Sequence, residues 1–309
     1  MTIPAPTTSS LAPNDLLASL RRLAPIELAG YALTGMMFVL LFAKPATLMF
    51  DAWWNDPNSG HGLLLAPLSI WFAYKSGIVK NAKPQPVLGM SILLFAVVSR
   101  YAADLAAELF VMRGSMLMAL AGMVVWYGGI RQLLHWWLPF VLTALSIPIP
   151  EVILNTIALP LQFTASKIGA SLLAWRKIPV LLTGNVIRLP GQELFVAEAC
   201  SGLRSLTALI SLGVLLGALF LKYWPSRLVL VMATIPIAIL INGFRVFLTG
   251  FLVLFVSPDM AKGAMHTGEG MLTFGGAFLL TGAVTWLFAQ FERLPTLFRP
   301  RTSNAESPV

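Results

Sequence analysis

The stretch from Ser205 to Leu221 reads SLTALISLGVLLGALFL and contains no charged residue. It is close to the roughly 18 to 20 apolar residues that a helix needs to cross a bilayer. Similar stretches recur along the chain of 309 residues, of which 57% are hydrophobic and only 11% charged. Because a soluble domain contains about 25% charged residues, the composition indicates an all-α polytopic membrane protein. Collagens, disordered chains, disulfide scaffolds and free cytosolic enzymes are excluded.

The apolar stretches predict about eight transmembrane helices. These run approximately over 27–50, 62–80, 86–107, 112–130, 132–150, 201–221, 227–256 and 271–290. Residues 1–26 are rich in Pro, Ser, Thr and Ala, and we interpret them as a flexible cytoplasmic segment. Residues 291–309 are interpreted as a cytoplasmic tail, which leaves 27–290 as one multi-span membrane domain.

The basic residues lie mostly between the apolar stretches, and the net charge is +8. They do not form a patch interleaved with aromatic residues, so we expect no nucleic-acid partner. Their placement instead follows the positive-inside rule. With Arg21 and Arg22 in the cytoplasm, alternation of the spans places residues 51–61, 176–199 and 257–270 on the outer side.

Residues 152–175 are apolar enough to form a helix, but Pro160, Gln162 and Lys167 interrupt them. We therefore predict a re-entrant or interfacial helix that begins and ends on the outer side. A full crossing by this segment would invert the orientation of everything after it.

A short outer β-hairpin is predicted before the cysteine. Within Val180–Leu189, two runs rich in β-branched and aliphatic residues flank Thr183-Gly184-Asn185, and another such run follows at Leu194-Phe195-Val196. Gly and Asn between such runs are typical of a hairpin turn. We expect residues 177–199 to form a small lid on the outer face.

Cys200 is the only cysteine, so the chain has no internal disulfide. It lies in Glu198-Ala199-Cys200-Ser201-Gly202-Leu203-Arg204. If the span begins near Ser201, the N-terminus of this helix favours a thiolate at Cys200. Arg204 follows one turn later and adds positive charge on the same face. The alternative is a small buried cysteine beside an arginine that extends to the interface.

Asn242-Gly243-Phe244-Arg245 interrupts an otherwise uncharged run from Leu228 to Pro258. A guanidinium inside the bilayer costs on the order of 2.5 to 3.5 kcal/mol on insertion scales, so an interaction must offset it. Either Arg245 pairs with Glu198 or Glu269 and holds helices together, or it takes part in chemistry. Both interpretations remain open at this stage.

The sequence contains three histidines. His266 lies in the predicted outer loop 257–270, on the same predicted side as Cys200. His61, within Asn58-Ser59-Gly60-His61-Gly62 at the outer start of the second span, is a candidate for a supporting role. A histidine in a loop is also often only solvated.

Cysteine peptidases need a thiolate nucleophile, a histidine that exchanges its proton, and a donor that stabilises the tetrahedral oxyanion. Cys200, His266 and Arg245 supply one of each on one predicted side of the membrane. The sequence contains no HExxH or CxxC pattern, so we expect no metal and no cofactor. It also contains no G-x-S-x-G or P-loop pattern, which argues against a serine hydrolase and a nucleotide-driven motor.

At these residues the sequence resembles the exosortase/archaeosortase family of polytopic membrane transpeptidases. The resemblance lies in Glu198 to Arg204, in Asn242 to Arg245 and in His266, whose order and spacing are similar to the family's Cys, Arg and His motifs. Asn58 to Gly62 also resembles a Ser-His-Gly stretch that is common before the second span of bacterial members. The histidine at position 266 indicates the bacterial exosortase branch, and we expect the chain to lack the extra C-terminal domain of some exosortases.

The resemblance implies a cysteine protease and transpeptidase in the bacterial inner membrane, with its active site on the periplasmic side. Its partners would be the lipid bilayer and membrane-anchored protein substrates with a PEP-CTERM sorting signal. In such a signal, a Pro-Glu-Pro motif precedes a transmembrane helix and a basic tail. The enzyme would cleave the signal and transfer the product to an acceptor that the sequence does not identify, in bacteria that also secrete exopolysaccharide.

The resemblance also assigns roles to residues of this sequence. It makes Cys200 the nucleophile, His266 the general acid/base, and Arg245 the partner of the oxyanion or of a substrate carboxylate. The supporting or substrate-binding residues would be Glu198, Arg204, Asn242 and His61.

Two alternatives remain at this stage. One is a non-enzymatic transporter or exopolysaccharide-assembly component, in which Arg245 and Glu198 bind an anionic solute. The other is simple hydrolysis, in which water instead of an amine takes the acyl group. Only the first alternative predicts that Cys200 is dispensable.

Overall fold

The computed structural model describes residues 10–11, 24–80, 82–196, 203–257 and 263–297, and these are mostly helical. The helices are α1 (Pro25–Asn55), α2 (Gly62–Ser76), α3 (Pro86–Leu105), α4 (Leu109–His135), α5 (Trp137–Leu145), α6 (Glu151–Trp175), α7 (Leu203–Phe220), α8 (Trp224–Phe255) and α9 (Gly263–Leu297). The strands are β1 (Ser10–Leu11), β2 (Ile78–Val79), β3 (Leu181–Thr183), β4 (Val186–Leu189) and β5 (Gln192–Phe195). Most of the predicted cytoplasmic segment 1–26 and the end of the predicted tail lie outside the described residues.

Six of the described helices are long and apolar enough to cross a membrane. They are α1, α3, α4, α6, α8 and the part of α9 from Gly268 to Arg293. Helix α2 has 15 residues and α5 has 9, so each is shorter than a span of about 20 residues. The chain is therefore a multi-pass membrane protein, whereas the predicted number of about eight spans is not confirmed.

The segment 152–175, predicted to be re-entrant or interfacial, belongs to one continuous helix of 25 residues, α6. Pro160 removes one backbone donor but does not end the helix, because in an apolar medium the remaining internal hydrogen bonds favour its continuation. Gln162 is buried and Lys167 is exposed, and both keep the helical conformation. Since α6 is long enough to cross the membrane, the side on which the Cys200 motif lies stays a prediction.

The chain divides into two compact units. The N-terminal unit comprises residues 2–162 and 201–211, and the C-terminal unit comprises residues 163–200 and 212–309. The membrane domain predicted over 27–290 therefore contains parts of both units.

Hydrogen bonds in the N-terminal unit hold its connecting segments together at two ends. At one end, Trp53 Nε1 donates to the Ser146 carbonyl over 2.7 Å and joins α1 to the residues after α5. At the other end, Trp136 Nε1 donates to the Gly77 carbonyl over 2.9 Å and joins the residues after α4 to those after α2. The end of α1 thus lies beside the end of α5, and the end of α2 lies beside the end of α4. The predicted alternation of the spans pairs the same helix ends within this unit.

Helix α4 contains a break at Gly129, whose φ of 69° lies in the left-handed region. A side chain there would begin 2.2 Å from the Lys83 carbonyl oxygen, so the position requires glycine. Gln85 satisfies the backbone on both sides of the break. Its N–H donates to the Val125 carbonyl, and its side-chain oxygen accepts from the Ile130 N–H. These bonds fix the start of α3 to α4.

Pro45 lies inside α1 and has no N–H, so the Leu41 carbonyl loses its helical partner. Arg100 of α3 replaces that partner, because its Nε donates to the Leu41 carbonyl over 2.6 Å. Asp104 lies 3.7 Å from Arg100 Nη1 and also pairs with Lys44. Two basic residues within candidate spans therefore share one carboxylate.

In the C-terminal unit, the second half of α6 crosses α8 at two glycines. A Cβ at Gly169 would lie 2.5 Å from Val246 Cγ1, and a Cβ at Gly243 would lie 2.5 Å from Ile168 Cγ2. Small residues let helix backbones approach closely in a membrane, where van der Waals packing drives helix association. This crossing fixes the position of α8, which carries Arg245.

A three-stranded antiparallel sheet, in the order β3-β4-β5, lies in the segment for which an outer hairpin is predicted. The two tight turns contain Gly184, with a φ of 65°, and Gly191, with a φ of 76°. On one face of the sheet, Ile187 is buried in a cluster with Leu173 of α6. The role of this sheet as a lid on the outer face stays a prediction.

We expect Arg100→Met to lower the free energy of unfolding by about 1 to 3 kcal/mol, because it leaves the Leu41 carbonyl without its replacement donor. Pro45→Ala supplies a helical N–H to the same carbonyl. Arg100→Met should therefore cost less in a Pro45→Ala background than in the wild-type chain. Unfolding in detergent measures the stability of the wild type, the two single variants and the double variant. An equal loss of stability on Arg100→Met in both backgrounds would contradict the role of Arg100 as the replacement donor for the Leu41 carbonyl.

Candidate functional site

Helix α8 carries only two charged residues, Arg227 near its start and Arg245 in its second half. Asn242 and Thr249 are buried polar residues on the same part of the helix. Residues three and four positions apart share a helix face, so Asn242, Arg245 and Thr249 form a polar strip in an apolar span. The polar strip is the candidate functional site in the described part of the C-terminal unit.

The guanidinium of Arg245 lies against the backbone of α9 at Gly270. A Cβ at Gly270 would lie 3.0 Å from Nη2, 3.1 Å from Cζ and 3.4 Å from Nη1 of Arg245. A methyl group would therefore press on three guanidinium atoms at once. Because Gly270 has no side chain, the charged group reaches α9 without displacing either helix.

Glu269 precedes Gly270 and is 7% exposed. The hydroxyl oxygen of Thr249, Oγ1, lies 2.6 Å from Glu269 Oε1, to which it donates, and 3.0 Å from the Arg245 carbonyl oxygen. The structure thus brings a buried carboxylate to the part of the α8–α9 contact that holds the arginine. This arrangement is compatible with the structural role that the sequence suggested for Arg245, as well as with a chemical one.

His266 lies in α9, which begins at Gly263. The prediction that His266 lies in a loop is therefore wrong. Polar residues up to Glu269 lower the hydropathy before residue 271, but a helix that packs against another helix accommodates polar residues on its packed face. Positions 266 and 270 are four residues apart and lie on one face of α9. The side chain of His266 is outside the described part of the structure.

Cys200 and Glu198 fall in 197–202, outside the described residues. The proximity of Cys200 to Arg245 is therefore still a prediction. Arg204 is exposed in the first turn of α7 and belongs to the N-terminal unit, as does His61. Of the predicted site residues, the structure brings Asn242 and Arg245 together on α8, next to the helix that carries His266.

A cavity of about 220 Å³ lies in the N-terminal unit, beside the loop from Asn58 to His61. Its walls are mostly apolar, with His61 on one side and Thr207 of α7 on another. The Thr207 hydroxyl donates to the Arg204 carbonyl over 3.1 Å, one turn nearer to the start of α7. The cavity is thus lined both by the His61 motif and by α7, the helix that follows the Cys200 motif.

Asp56 fixes the loop that carries His61. Its carboxylate accepts a hydrogen bond from the Ser59 hydroxyl over 2.5 Å. A Cβ at Gly62 would lie 2.1 Å from Trp53 Nε1, so the glycine after His61 makes room for the indole ring. The Ser-Gly-His-Gly pattern is therefore explained largely by the packing of this loop.

Burial lowers the pKa of His61 below its usual value, although hydrogen bonds to the backbone of Leu145 and Asn58 act in the opposite direction. The imidazole is consequently neutral at pH 7. Its Nε2 lies 3.1 Å from the Leu145 carbonyl oxygen, which only accepts, so Nε2 carries the proton. His61 is thus an anchored, neutral residue on the wall of the cavity.

The groups in the polar strip donate hydrogen bonds and positive charge, which suits them to an oxyanion or a carboxylate. Within the described ranges, no group of three or more His, Cys, Asp or Glu side chains lies close enough to bind a metal ion. The chemistry that the polar strip supports is therefore anion stabilisation.

A family model described as Transmembrane exosortase (Exosortase_EpsH) matches residues 53–283. The chain belongs to the transmembrane exosortase family. No curated protein and no solved structure matches it. The region matched in this exosortase extends from before the Asn58 motif to beyond His266, so it includes every motif on which the resemblance rests.

Two residues of the Arg245 contact in this exosortase are not among the predicted site residues. The sequence suggests Glu269 only as a structural partner of Arg245, and nothing in it singles out Thr249. A threonine in an apolar helix carries little signal, because its hydroxyl usually bonds to the preceding turn. The position of Glu269 three residues after His266 was a usable signal, since it places a carboxylate on the same helix face.

Gly270→Ala and Gly268→Ala form a matched pair that tests the Arg245 contact. Both replace a helical glycine and should gain up to about 1 kcal/mol in stability from helix propensity alone. A Cβ at Gly268 meets nothing within 4 Å, whereas a Cβ at Gly270 meets the guanidinium. Unfolding in detergent should show Gly270→Ala to be the less stable variant. Equal stability of the two variants would contradict the close packing of Arg245 on α9.

Proposed function

We propose that this exosortase is a membrane-embedded cysteine protease and transpeptidase that removes C-terminal sorting signals of the PEP-CTERM type. The family match over residues 53–283 carries the proposal. The polar strip supports it, because it holds a partly buried guanidinium beside the helix of His266, where an oxyanion partner is needed. Its transfer of the product to an acceptor, rather than to water, is part of the proposal.

The proposed reaction begins when His266 takes the proton of the Cys200 thiol. The thiolate adds to the scissile carbonyl carbon and gives a tetrahedral oxyanion. The C–N bond then breaks, His266 gives its proton to the leaving amine, and the acyl group remains as a thioester on Cys200. An acceptor amine, or water, loses a proton to His266 as it attacks the thioester and releases the thiol.

Arg245 is suited to stabilise the tetrahedral oxyanion. A guanidinium in a site of low dielectric interacts with a developing negative charge more strongly than it would in water. Its packing against Gly270 limits its movement, so little reorganisation is needed during the reaction. Asn242 would support this site from one turn earlier on α8, and Glu198 would support it from the Cys200 motif. For Arg204, a role in substrate binding stays a prediction from the sequence.

The substrate would reach the enzyme within the bilayer of the bacterial inner membrane. Its transmembrane sorting helix would approach laterally, so that the peptide just outside the apolar core is cleaved on the periplasmic side. The partly buried Arg245 would also attract the glutamate of a Pro-Glu-Pro motif. The neutral His61 and the cavity beside it would support substrate binding.

Cys200→Ala should leave the protein inserted in the membrane and reduce processing of a sorting-signal substrate to less than about one thousandth of the wild-type rate. Immunoblots of the membrane fraction measure both the enzyme and the uncleaved substrate. The acyl-enzyme of the wild type should be released by hydroxylamine. Normal processing by Cys200→Ala would overturn the proposal and favour a transporter or an exopolysaccharide-assembly component.

Mass spectrometry of the mature substrate identifies the group attached to its new C-terminus. An added amine-containing group is expected for transpeptidation. A free carboxylate would restrict the activity to hydrolysis, with the same Cys200 chemistry.

Single cysteines in a Cys200→Ala chain test the proposed orientation. Asn55, Lys80 and Arg176 are exposed positions outside or at the ends of the apolar stretches. A membrane-impermeant maleimide added to intact spheroplasts should label Asn55→Cys and Arg176→Cys but not Lys80→Cys. Permeabilised membranes provide the control for reactivity. Protection of Arg176→Cys in spheroplasts alone would show that α6 crosses the membrane and would place the Cys200 motif on the cytoplasmic side.

A further inference from the structure

Glu269 is a carboxylate buried within a candidate transmembrane helix, and it is 7% exposed. Removing a carboxylate from water is costly unless hydrogen bonds and an opposite charge compensate for it. Aspartate and glutamate within transmembrane segments therefore tend to have a functional role. The mechanism described so far does not use Glu269.

The hydroxyl of Thr249 holds the carboxylate of Glu269 in place. Thr249 Oγ1 lies 2.6 Å from Glu269 Oε1 and 3.0 Å from the Arg245 carbonyl oxygen. A hydroxyl has one proton, and 2.6 Å is the length expected for a hydroxyl that donates to a carboxylate. Thr249 therefore fixes one oxygen of Glu269 from α8, and the orientation of the carboxylate is restricted.

Among the described residues, Arg245 is the titratable group next to this part of α9, and His266 precedes Glu269 on the same helix. Arg245 lies against Gly270, the residue after Glu269. Positions 266 and 269 are three residues apart on α9 and therefore share a helix face. Side chains at this spacing on a helix can interact. Glu198 and Cys200, in the segment before α7, lie outside the described residues.

We propose that Glu269 is a positioning residue that orients the imidazole of His266 through a hydrogen bond between its carboxylate and one ring N–H. The other ring nitrogen is then directed at the thiol of Cys200. This inference rests on the proposed cysteine chemistry and adds a third member to the Cys–His pair. In the reaction His266 gains and loses the proton, while Glu269 stays ionised and stabilises the imidazolium.

The alternative role for Glu269 is to balance the charge of Arg245 without contact with His266. The two roles predict different effects on the Cys200 thiolate. A carboxylate that stabilises the imidazolium also favours the thiolate–imidazolium pair, so the thiolate persists at lower pH. A carboxylate that only balances Arg245 affects the thiolate equally whether or not residue 266 is a histidine.

The rate of alkylation of Cys200 by iodoacetamide, measured against pH on the full-length protein, separates these roles. Cys200 is the only cysteine, so the signal comes from one residue and requires no substrate. In Glu269→Gln the pH of half-maximal alkylation should rise by about one unit, and substrate cleavage at pH 7 should fall at least about tenfold. In a His266→Gln background, Glu269→Gln should leave the alkylation profile unchanged.

Two further variants complete the experiment. Thr249→Val removes the donor but keeps the shape of the side chain, and it should shift the profile in the same direction by a smaller amount. Glu292→Gln is the matched control, because Glu292 lies at the other end of α9, where it accepts from the N–H groups of Lys222 and Tyr223. It should leave the profile unchanged.

An unchanged alkylation profile in both Glu269→Gln and Thr249→Val would overturn this inference. It would also be overturned if Glu269→Gln shifted the profile in the His266→Gln background by as much as in the wild-type chain. If Glu269→Gln does not accumulate in the membrane, Thr249→Val decides the outcome by the same criterion. These results are distinct from a failure of the proposed function, which would appear as normal processing by Cys200→Ala.

Discussion

The central constraint on this structure is that polar groups inside an apolar medium need partners within the protein. The Leu41 carbonyl, which Pro45 deprives of its helical donor, is satisfied by Arg100 from another helix. Arg100 in turn is compensated by Asp104, which Lys44 shares. One proline in α1 thereby determines where a cation must lie in α3. The same constraint acts at the break in α4, where Gln85 bonds to the backbone on both sides of Gly129.

The same constraint accounts for the candidate site in the C-terminal unit. Arg245 is costly in an apolar span, and the structure retains it at a point where α9 has no side chain, beside the buried carboxylate of Glu269. A charged group in this environment interacts strongly with any charge that appears nearby. The arrangement that stabilises the contact between α8 and α9 is therefore also suited to the proposed reaction, in which an oxyanion would develop.

Sequence reasoning succeeded where the signal was local. The apolar stretches predicted the helices, and the isolated charge at Arg245 identified a position that the structure partly buries beside a second helix. The helix predicted over 152–175 is present and continues through Pro160, because one proline does not outweigh the remaining internal hydrogen bonds. Its re-entrant or interfacial placement stays a prediction. Sequence reasoning failed where hydropathy alone decided a boundary. His266 lies within α9 because polar residues are tolerated where a helix packs against another helix.

The sequence by itself determined that the chain spans a membrane, that it belongs with the exosortases, and that Cys200, Arg245 and His266 are its candidate catalytic residues. Composition and short motifs carry this information, since both are properties of neighbouring residues. Only the tertiary structure decided that Gly270 receives the guanidinium of Arg245 and that Thr249 bonds to Glu269. The physical reason is that these contacts join different helices, and their geometry depends on how closely the two backbones approach.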